Sequence, residues 1–253
     1  MVNLPHPVPR MADGHDTDPE RGLPVSEQFG PTLQGEGPYA GQTVQFLRLG
    51  GCNLTCRWCD TPYTWDGSRF NLREELTART GRDIVAALMP HTPLVLSGGE
   101  PLLHQSNPGL LYVLDAAHAI GCTVHVETNG TLAPLLQFRS RVDVFAVSPK
   151  MDHAGPHRSA QTPNLAEEWR DLASWLPEAY LKVVVRDGTD VDEVARWAAE
   201  WGWPRAKTWV MPLGTSTAEL LARWTEIVSA AAAHGISATQ RLHVLAWGDS
   251  KGT

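Results

Sequence analysis

Polar and apolar residues alternate through Gln42-Thr43-Val44-Gln45-Phe46-Leu47-Arg48-Leu49, which predicts a strand over 42–49. A second strand, Pro93 to Ser97, runs into Gly98-Gly99-Glu100-Pro101. From there helical spacing and strands take turns. A helix at 108–120 precedes a strand at 122–127 that ends in Thr128-Asn129-Gly130, and a short helix near Pro134 precedes a strand at 142–147 that ends in Ser148-Pro149-Lys150. Helices at 165–175 and 190–201 lead into strands at 179–185 and 207–211, and the last long helix spans 217–234. A helix at 81–89 follows an irregular excursion at 62–71, and a polar loop fills 151–164. The stretch Val25 to Pro38, with Gly35 and Gly37, predicts a shaped loop before the first strand.

Strand then helix, repeated about six times, predicts an α/β fold built on parallel strands. The polar and glycine residues recur where strands end, so the expected architecture is an incomplete (βα)6 TIM-like barrel with its site at the C-terminal strand ends. One catalytic domain, 25–253, follows an expected flexible extension, 1–24, rich in Pro, His, Asp and Gly.

Composition narrows the function. With 42% hydrophobic and 19% charged residues, the 253-residue chain is globular. Its formal charge of −7 argues against a broad nucleic-acid-binding surface, although a few Arg and Lys side chains can still hold a small anion. No apolar run approaches ~18 residues, so no membrane-spanning helix is expected. Four cysteines without a secretory signal suit a reducing cytoplasm.

Three of those cysteines, Cys52, Cys56 and Cys59, are spaced C-x3-C-x2-C in the loop after the first predicted strand. Three thiolates can each hold one iron of a [4Fe–4S] cube and leave the fourth iron open to a small molecule. Zinc would want a fourth ligand nearby, and no His occurs between Cys52 and His91; a disulfide would leave one cysteine over and needs an oxidising compartment. Gly98 and Gly99 directly after a strand let a ligand approach the backbone. Arg48, four residues before the first cysteine, is either a surface ion pair or a planar clamp for a carboxylate. Cys122 reads as a small buried hydrophobe, and the Trp residues Trp169, Trp175, Trp197, Trp201, Trp203 and Trp224 as helix packing with an exposed subset at a dimer interface. His153 and His157 read as loop residues outside the chemistry.

The cysteine spacing and the glycine turn resemble the radical S-adenosylmethionine (SAM) superfamily. More narrowly, Leu33-Gln34-Gly35-Glu36-Gly37, Arg48, the three cysteines, Asp60-Thr61, Ser97 to Pro101, Glu127 to Gly130 and Ser148 to Lys150 resemble the 7-carboxy-7-deazaguanine synthase family. The match runs from about Val25 to the C-terminus and is densest before residue 150. That resemblance implies conversion of 6-carboxy-5,6,7,8-tetrahydropterin to 7-carboxy-7-deazaguanine with loss of ammonia, using a [4Fe–4S] cluster, SAM and Mg²⁺. A 5′-deoxyadenosyl radical would take hydrogen from C6 of the pterin and later return it. Residue by residue, it implies Cys52, Cys56 and Cys59 as cluster ligands. Trp58, Cys59, Asp60, Gly98, Gly99, Glu100, Glu127, Ser148, Pro149 and Lys150 would line the SAM site. Leu33, Gln34, Gly35, Arg48, Ser97, His243 and the C-terminal Thr253 would face substrate, and Thr61 would give an oxygen to Mg²⁺. It further implies a flavodoxin- or ferredoxin-like electron donor, a homodimer in the cytoplasm, and no nucleic-acid or membrane partner. The Met1–Pro24 extension departs from the family pattern. Rival readings are a glycyl-radical activase, the same chemistry serving a deazapurine natural product, and a zinc-stabilised binding module.

Overall fold

A computed structural model describes residues 16–157, 165–176 and 178–253, with the side chains of Ser174 and Trp175 excepted. The 1–15 part of the expected extension and the 158–164 part of the polar loop lie outside the described residues. In chain order the elements are β1 (Gly22–Leu33), β2 (Thr43–Leu49), α1 (Leu72–Glu75), β3 (Thr77–Thr80), α2 (Gly81–Ala86), β4 (Leu94–Gly98) and α3 (Pro108–Ala119). There follow β5 (Val124–Thr128), α4 (Leu136–Arg139), β6 (Val144–Val147), α5 (Glu168–Trp175), β7 (Ala179–Val185), α6 (Gly188–Glu200), β8 (Thr208–Pro212), α7 (Thr217–His234), β9 (Ser237–Ala238) and α8 (Leu242–Trp247).

Among the described residues the strands form one sheet in the order β3-β1-β2-β4-β5-β6-β7-β8-β9. From β2 onward each neighbour is parallel, which gives the six βα strands expected plus the two-residue β9. β1 runs antiparallel to both β2 and β3, and the sheet ends in two free edges, an incomplete barrel. Successive side chains of a strand point to opposite faces. Leu47 and Leu49, Leu94 and Leu96, Val124 and Val126, Phe145 and Val147, and Leu181, Val183 and Val185 therefore share the face that packs on the helices, where they join one large core. The alternate positions Arg48, Ser97, Glu127 and Ser148, at the C-terminal ends of the parallel strands, and Lys182, midway along β7, fall on the other face, where polar side chains meet one another. Burial of apolar side chains on one face thus fixes which polar ones are aimed inward.

Two sequence expectations change. The Val25–Pro38 stretch is strand as far as Leu33, not loop. Pro24, Gly30 and Pro31 obscure it, because such residues weaken a strand pattern. Register shifts between Val25 and Glu27 and between Phe29 and Thr32 accommodate them. The expected flexible extension also ends earlier than Pro24. Gly22, Leu23 and Pro24 pair with Thr80, Arg79 and Ala78, and Asp18 N donates to Pro108 O (3.0 Å). Asp16 accepts from both Nη1 and Nη2 of Arg141, whose Nε donates to Asp115 at 2.8 Å. Arg141 is only 5% exposed. We expect Arg141→Ala to lower stability by about 1–2 kcal/mol, because it removes a buried guanidinium that bonds two partly exposed carboxylates and the Gln137 carbonyl, and a falling urea midpoint would report it.

Cys122 is buried and donates to Met89 O at 3.3 Å, as expected of a small core residue. Trp169, Trp197, Trp201 and Trp203 are core, with Trp197 and Trp201 stacked at 5.2 Å; Trp247 is exposed. Among the described residues no helix is long and apolar enough to cross a membrane.

Candidate active site

The C-terminal strand ends open into a cavity of about 770 Å³, within the range of small-molecule sites. Of the residues expected to form a site, Cys52, Trp58, Cys56, Cys59, Asp60, Thr61, Gly98, Gly99, Glu127, Ser148 and Lys150 line it, as do Leu33, Gln34, Gly35, Arg48, Ser97, His243 and Thr253. Glu100 and Pro149 do not.

One wall is the cysteine loop that β2 delivers. It is held from three sides by backbone hydrogen bonds: Gly51 N to Thr64 O (2.8 Å), Glu100 N to Gly51 O (2.8 Å) and Arg57 N to Ala154 O (2.9 Å). The glycine turn after β4 lies against it so closely that a Cβ on Gly99 would fall 2.1 Å from Gly51 O, and one on Gly98 would fall 2.2 Å from Leu49 O. Gly98 also has φ +148°, a conformation other residues rarely adopt. Trp58 packs on the His153 ring at 5.5 Å, and the Lys150 ammonium lies 5.9 Å from the Trp58 ring and donates to Ser148 Oγ (2.9 Å).

The donor set suits an iron–sulfur cluster. N–H groups already point at sulfur, from Leu54 N to Cys52 Sγ and from Trp65 Nε1 to Cys59 Sγ, each 3.4 Å. Such bonds stabilise ligating sulfurs and tune a cluster. Burial pushes the Cys52 thiol up to about 12 and raises Cys56 and Cys59 as well. Thiolates in this wall therefore need metal charge to balance them. Among the described residues no three His, Cys, Asp or Glu side chains converge to hold a single metal ion. Thiolates that each take a different corner of a cube need not converge.

Glu100 was expected to touch cofactor. Instead it is fully buried and accepts from Leu102 N (2.9 Å), Thr128 Oγ1 (2.8 Å) and Asn129 N (2.7 Å). It ties the end of β4 to the end of β5, and burial raises its carboxyl above the usual range against those donors.

The other wall is an ionic network, buried at Lys182 and Arg241 and partly exposed at Asp60 and Glu127, that sequence reasoning only half found. Lys182 Nζ donates to Glu36 Oε2 (2.8 Å) and to Glu127 Oε1 (2.9 Å). Glu127 Oε2 accepts from Ser97 Oγ at 3.0 Å, and Gln34 Nε2 reaches Glu127 Oε1 at 3.4 Å. Arg241 Nε donates to Glu36 Oε1 (2.8 Å), and its Nη2 is paired with Asp60. Burial opposes every one of these charges. Lys182 is held above the ordinary ammonium value because the two glutamates outweigh burial, and Glu36, Glu127 and Asp60 are held low because Lys182 or Arg241 does the same for them. So Glu127 and Asp60, expected beside SAM, have their carboxylates engaged in this network. Lys182 did leave a signal in the sequence, a lone Lys inside the apolar strand Ala179–Val185 at an inward position. Arg241 left none, since its partners lie 205 and 181 residues away. A separate ionic pair, Glu27 Oε2 with Arg48 Nε at 2.7 Å, completes the wall.

Residues 47–215 match the family model described as the Radical SAM superfamily. Over 223 residues the chain is 35% identical to the 7-carboxy-7-deazaguanine synthase of Pyrobaculum aerophilum, spanning 87% of this chain and 93% of that one. It is also 35% identical over 258 residues to the enzyme of the same name from Halobacterium salinarum, spanning 91% and 93%. The crystal structure of QueE from Escherichia coli shares the fold with a TM-score of 0.62 at 22% identity, over 88% of this chain and 95% of that one. Three cysteines at a barrel mouth beside a glycine turn, in a chain that matches this family model, make it a radical SAM enzyme; the superfamily implies a [4Fe–4S] cluster and SAM. Within that superfamily it belongs to the 7-carboxy-7-deazaguanine synthase family, lyases of deazapurine biosynthesis.

Proposed function

We propose that the chain converts 6-carboxy-5,6,7,8-tetrahydropterin to 7-carboxy-7-deazaguanine with loss of ammonia, assisted by Mg²⁺. The observation that carries this reading is that one cavity joins the cysteine loop and glycine turn to the Lys182–Glu36–Glu127 network. Bound cluster and SAM supply the radical that opens the reaction. The chain's own residues bind, orient and shield. Cys52, Cys56 and Cys59 would hold three irons, and Gly98, Gly99, Trp58, Ser148 and Lys150 would border SAM. The pterin edge carries several N–H donors, and Glu36 and Glu127 are acceptors that Lys182 keeps oriented. Glu27 takes the Nε–H of Arg48, which leaves its terminal N–H groups for the substrate carboxylate.

The donors left at the cavity suit Mg²⁺. Glu27, Glu36, Asp60 and Glu127 are each paired with Arg48, Lys182 or Arg241. The Thr61 hydroxyl lines the same cavity and is a hard oxygen donor suited to Mg²⁺, which keeps most of its other ligands as water or substrate oxygen. Thr61→Ala should retain SAM cleavage but lose Mg²⁺ stimulation of product formation by about tenfold. Unchanged Mg²⁺ dependence would remove Thr61 from the metal site.

The reading also includes a flavodoxin- or ferredoxin-like reductant, a homodimer whose formation native mass measurement tests, and a cytoplasmic setting without nucleic-acid or membrane partners. Its decisive test is anaerobic. The reconstituted protein receives reductant, SAM, Mg²⁺ and the pterin, and mass spectrometry looks for the deazaguanine. Product that disappears when SAM or Mg²⁺ is withheld is expected, whereas 5′-deoxyadenosine without product would refute the substrate.

A further inference from the structure

The last residues of the chain are fastened over the cavity at one point. The Lys251 ammonium lies 3.8 Å from the centroid of the Tyr63 ring and 2.6 Å from Glu75 Oε2. Tyr63 is buried in the 3₁₀ turn Pro62–Thr64, beside Thr61. Its hydroxyl donates to Glu27 Oε2 (2.8 Å), the same oxygen that accepts from Arg48 Nε (2.7 Å). Lys251, Tyr63, Glu27, Arg48 and Thr253 all line the cavity. One aromatic ring therefore touches the tail on its face and the Glu27–Arg48 pair through its hydroxyl.

We propose that Lys251 and Tyr63 form a clasp that holds the C-terminal segment over the cavity, and that Tyr63 is a positioning residue that orients Arg48 through Glu27. The physical basis is plain. A cation over an aromatic face is attracted by the ring quadrupole, and the Glu75 carboxylate adds a second attraction for Lys251. Lys251 is 52% exposed, so solvent screens both attractions and the clasp is a weak one. Arg48 has a long flexible stem, and a carboxylate fixed by a tyrosine hydroxyl on one side restricts where its fork lies. Its role toward the pterin carboxylate rests on the function proposed above; the clasp itself does not.

The test uses the full-length reconstituted enzyme and two readouts. The first is the rate at which a carboxypeptidase trims Thr253, followed by intact mass without substrate. We expect Lys251→Ala to be trimmed about fivefold faster than the parent, with Lys251→Arg restored to within about twofold, since arginine keeps the charge over the ring. Tyr63→Phe keeps the ring and should be trimmed at the parent rate. The second readout is steady-state kinetics. Tyr63→Phe and Lys251→Ala should each raise the pterin KM by about fivefold while changing kcat less than about twofold, because each loosens positioning and not the chemistry. Equal trimming of the parent and Lys251→Ala overturns the clasp, and an unchanged KM in Tyr63→Phe overturns the positioning role. If trimming behaves as expected but the parent turns over no pterin, the clasp stands and the substrate assignment fails.

Discussion

Lys182→Met is expected to be the most damaging single change at the substrate wall. The ammonium is the one cation bonded to Glu127 among the described residues, and Glu36 shares it with Arg241. Removing it leaves a partly buried carboxylate supported, among the described residues, by Ser97 and Gln34. Stranding one member of a buried ion pair costs about 3–5 kcal/mol, limited in practice because the carboxylate takes up a proton instead. The pH dependence follows. In the parent, Glu127 is held below its unfolded value, so its contribution to stability is present above that value and lost as pH falls through the folded one. In the variant its folded value rises, so the deficit is full at pH 8 and shrinks as pH falls toward about 4. Thermal unfolding at pH 8 and pH 5 measures this, and an identical deficit at both would mean that Glu127 is not the group left stranded. Activity should fall by about a hundredfold in kcat/KM at pH 8, the scale of one charge-assisted hydrogen bond lost at a buried site. Lys182→Arg keeps the charge but must fit a wider group into a site where the lysine side chain is 4% exposed, so it should recover stability better than activity.

The second large effect belongs to the other wall. Gly99→Ala places a methyl 2.1 Å from Gly51 O and 2.9 Å from Cys52 Cβ, and the first of these contacts is backbone. No side-chain rotation relieves it. Either the turn after β4 or the cysteine loop must move, and Glu100 N then loses its bond to Gly51 O. The expected result is a soluble, folded protein that reconstitutes with less than about half the iron and sulfide of the parent and loses at least about a hundredfold in SAM cleavage, because small displacements of reacting groups are costly. Gly22→Ala is the control. A Cβ there meets nothing within 4 Å, and it should match the parent in iron content and rate. Full cluster loading in Gly99→Ala would show that the loop does not need this close approach.

These two residues mark how far the sequence could be read. Gly99 was legible because it stands next to Gly98 at the end of an apolar strand, and local patterns of that kind need no knowledge of the fold. The six parallel strands were legible for the same reason, as alternation or apolar runs followed by helical spacing. Lys182 was half legible, since a Lys within Ala179–Val185 is conspicuous but its two glutamates lie 146 and 55 residues away. β1 was hidden by Pro24, Gly30 and Pro31, whose effect on pairing depends on bulges that only the partner strand defines. The sequence did not show which way Glu100 faces: its neighbours Gly98 and Gly99 line the cavity, while its own side chain turns into the protein and joins β4 to β5. Position next to a motif does not settle which way a side chain faces.

The bonds that join residues 241–251 to Gly35, Glu36 and Glu75 also set an order in time. Every residue proposed to hold the cluster and SAM lies at or before Lys150. The substrate wall, by contrast, waits for Arg241 to reach Glu36, for Leu242 N to reach Gly35 O, and for Lys251 to reach Glu75. At a synthesis rate of roughly 10 residues per second, the cysteine loop precedes the tail by on the order of 20 seconds. A nascent or C-terminally clipped chain would therefore possess the parts that start radical chemistry before those that give the radical a target. Residues 241–251 are made after the cysteine loop, and on the proposed assignment their arrival completes the substrate wall.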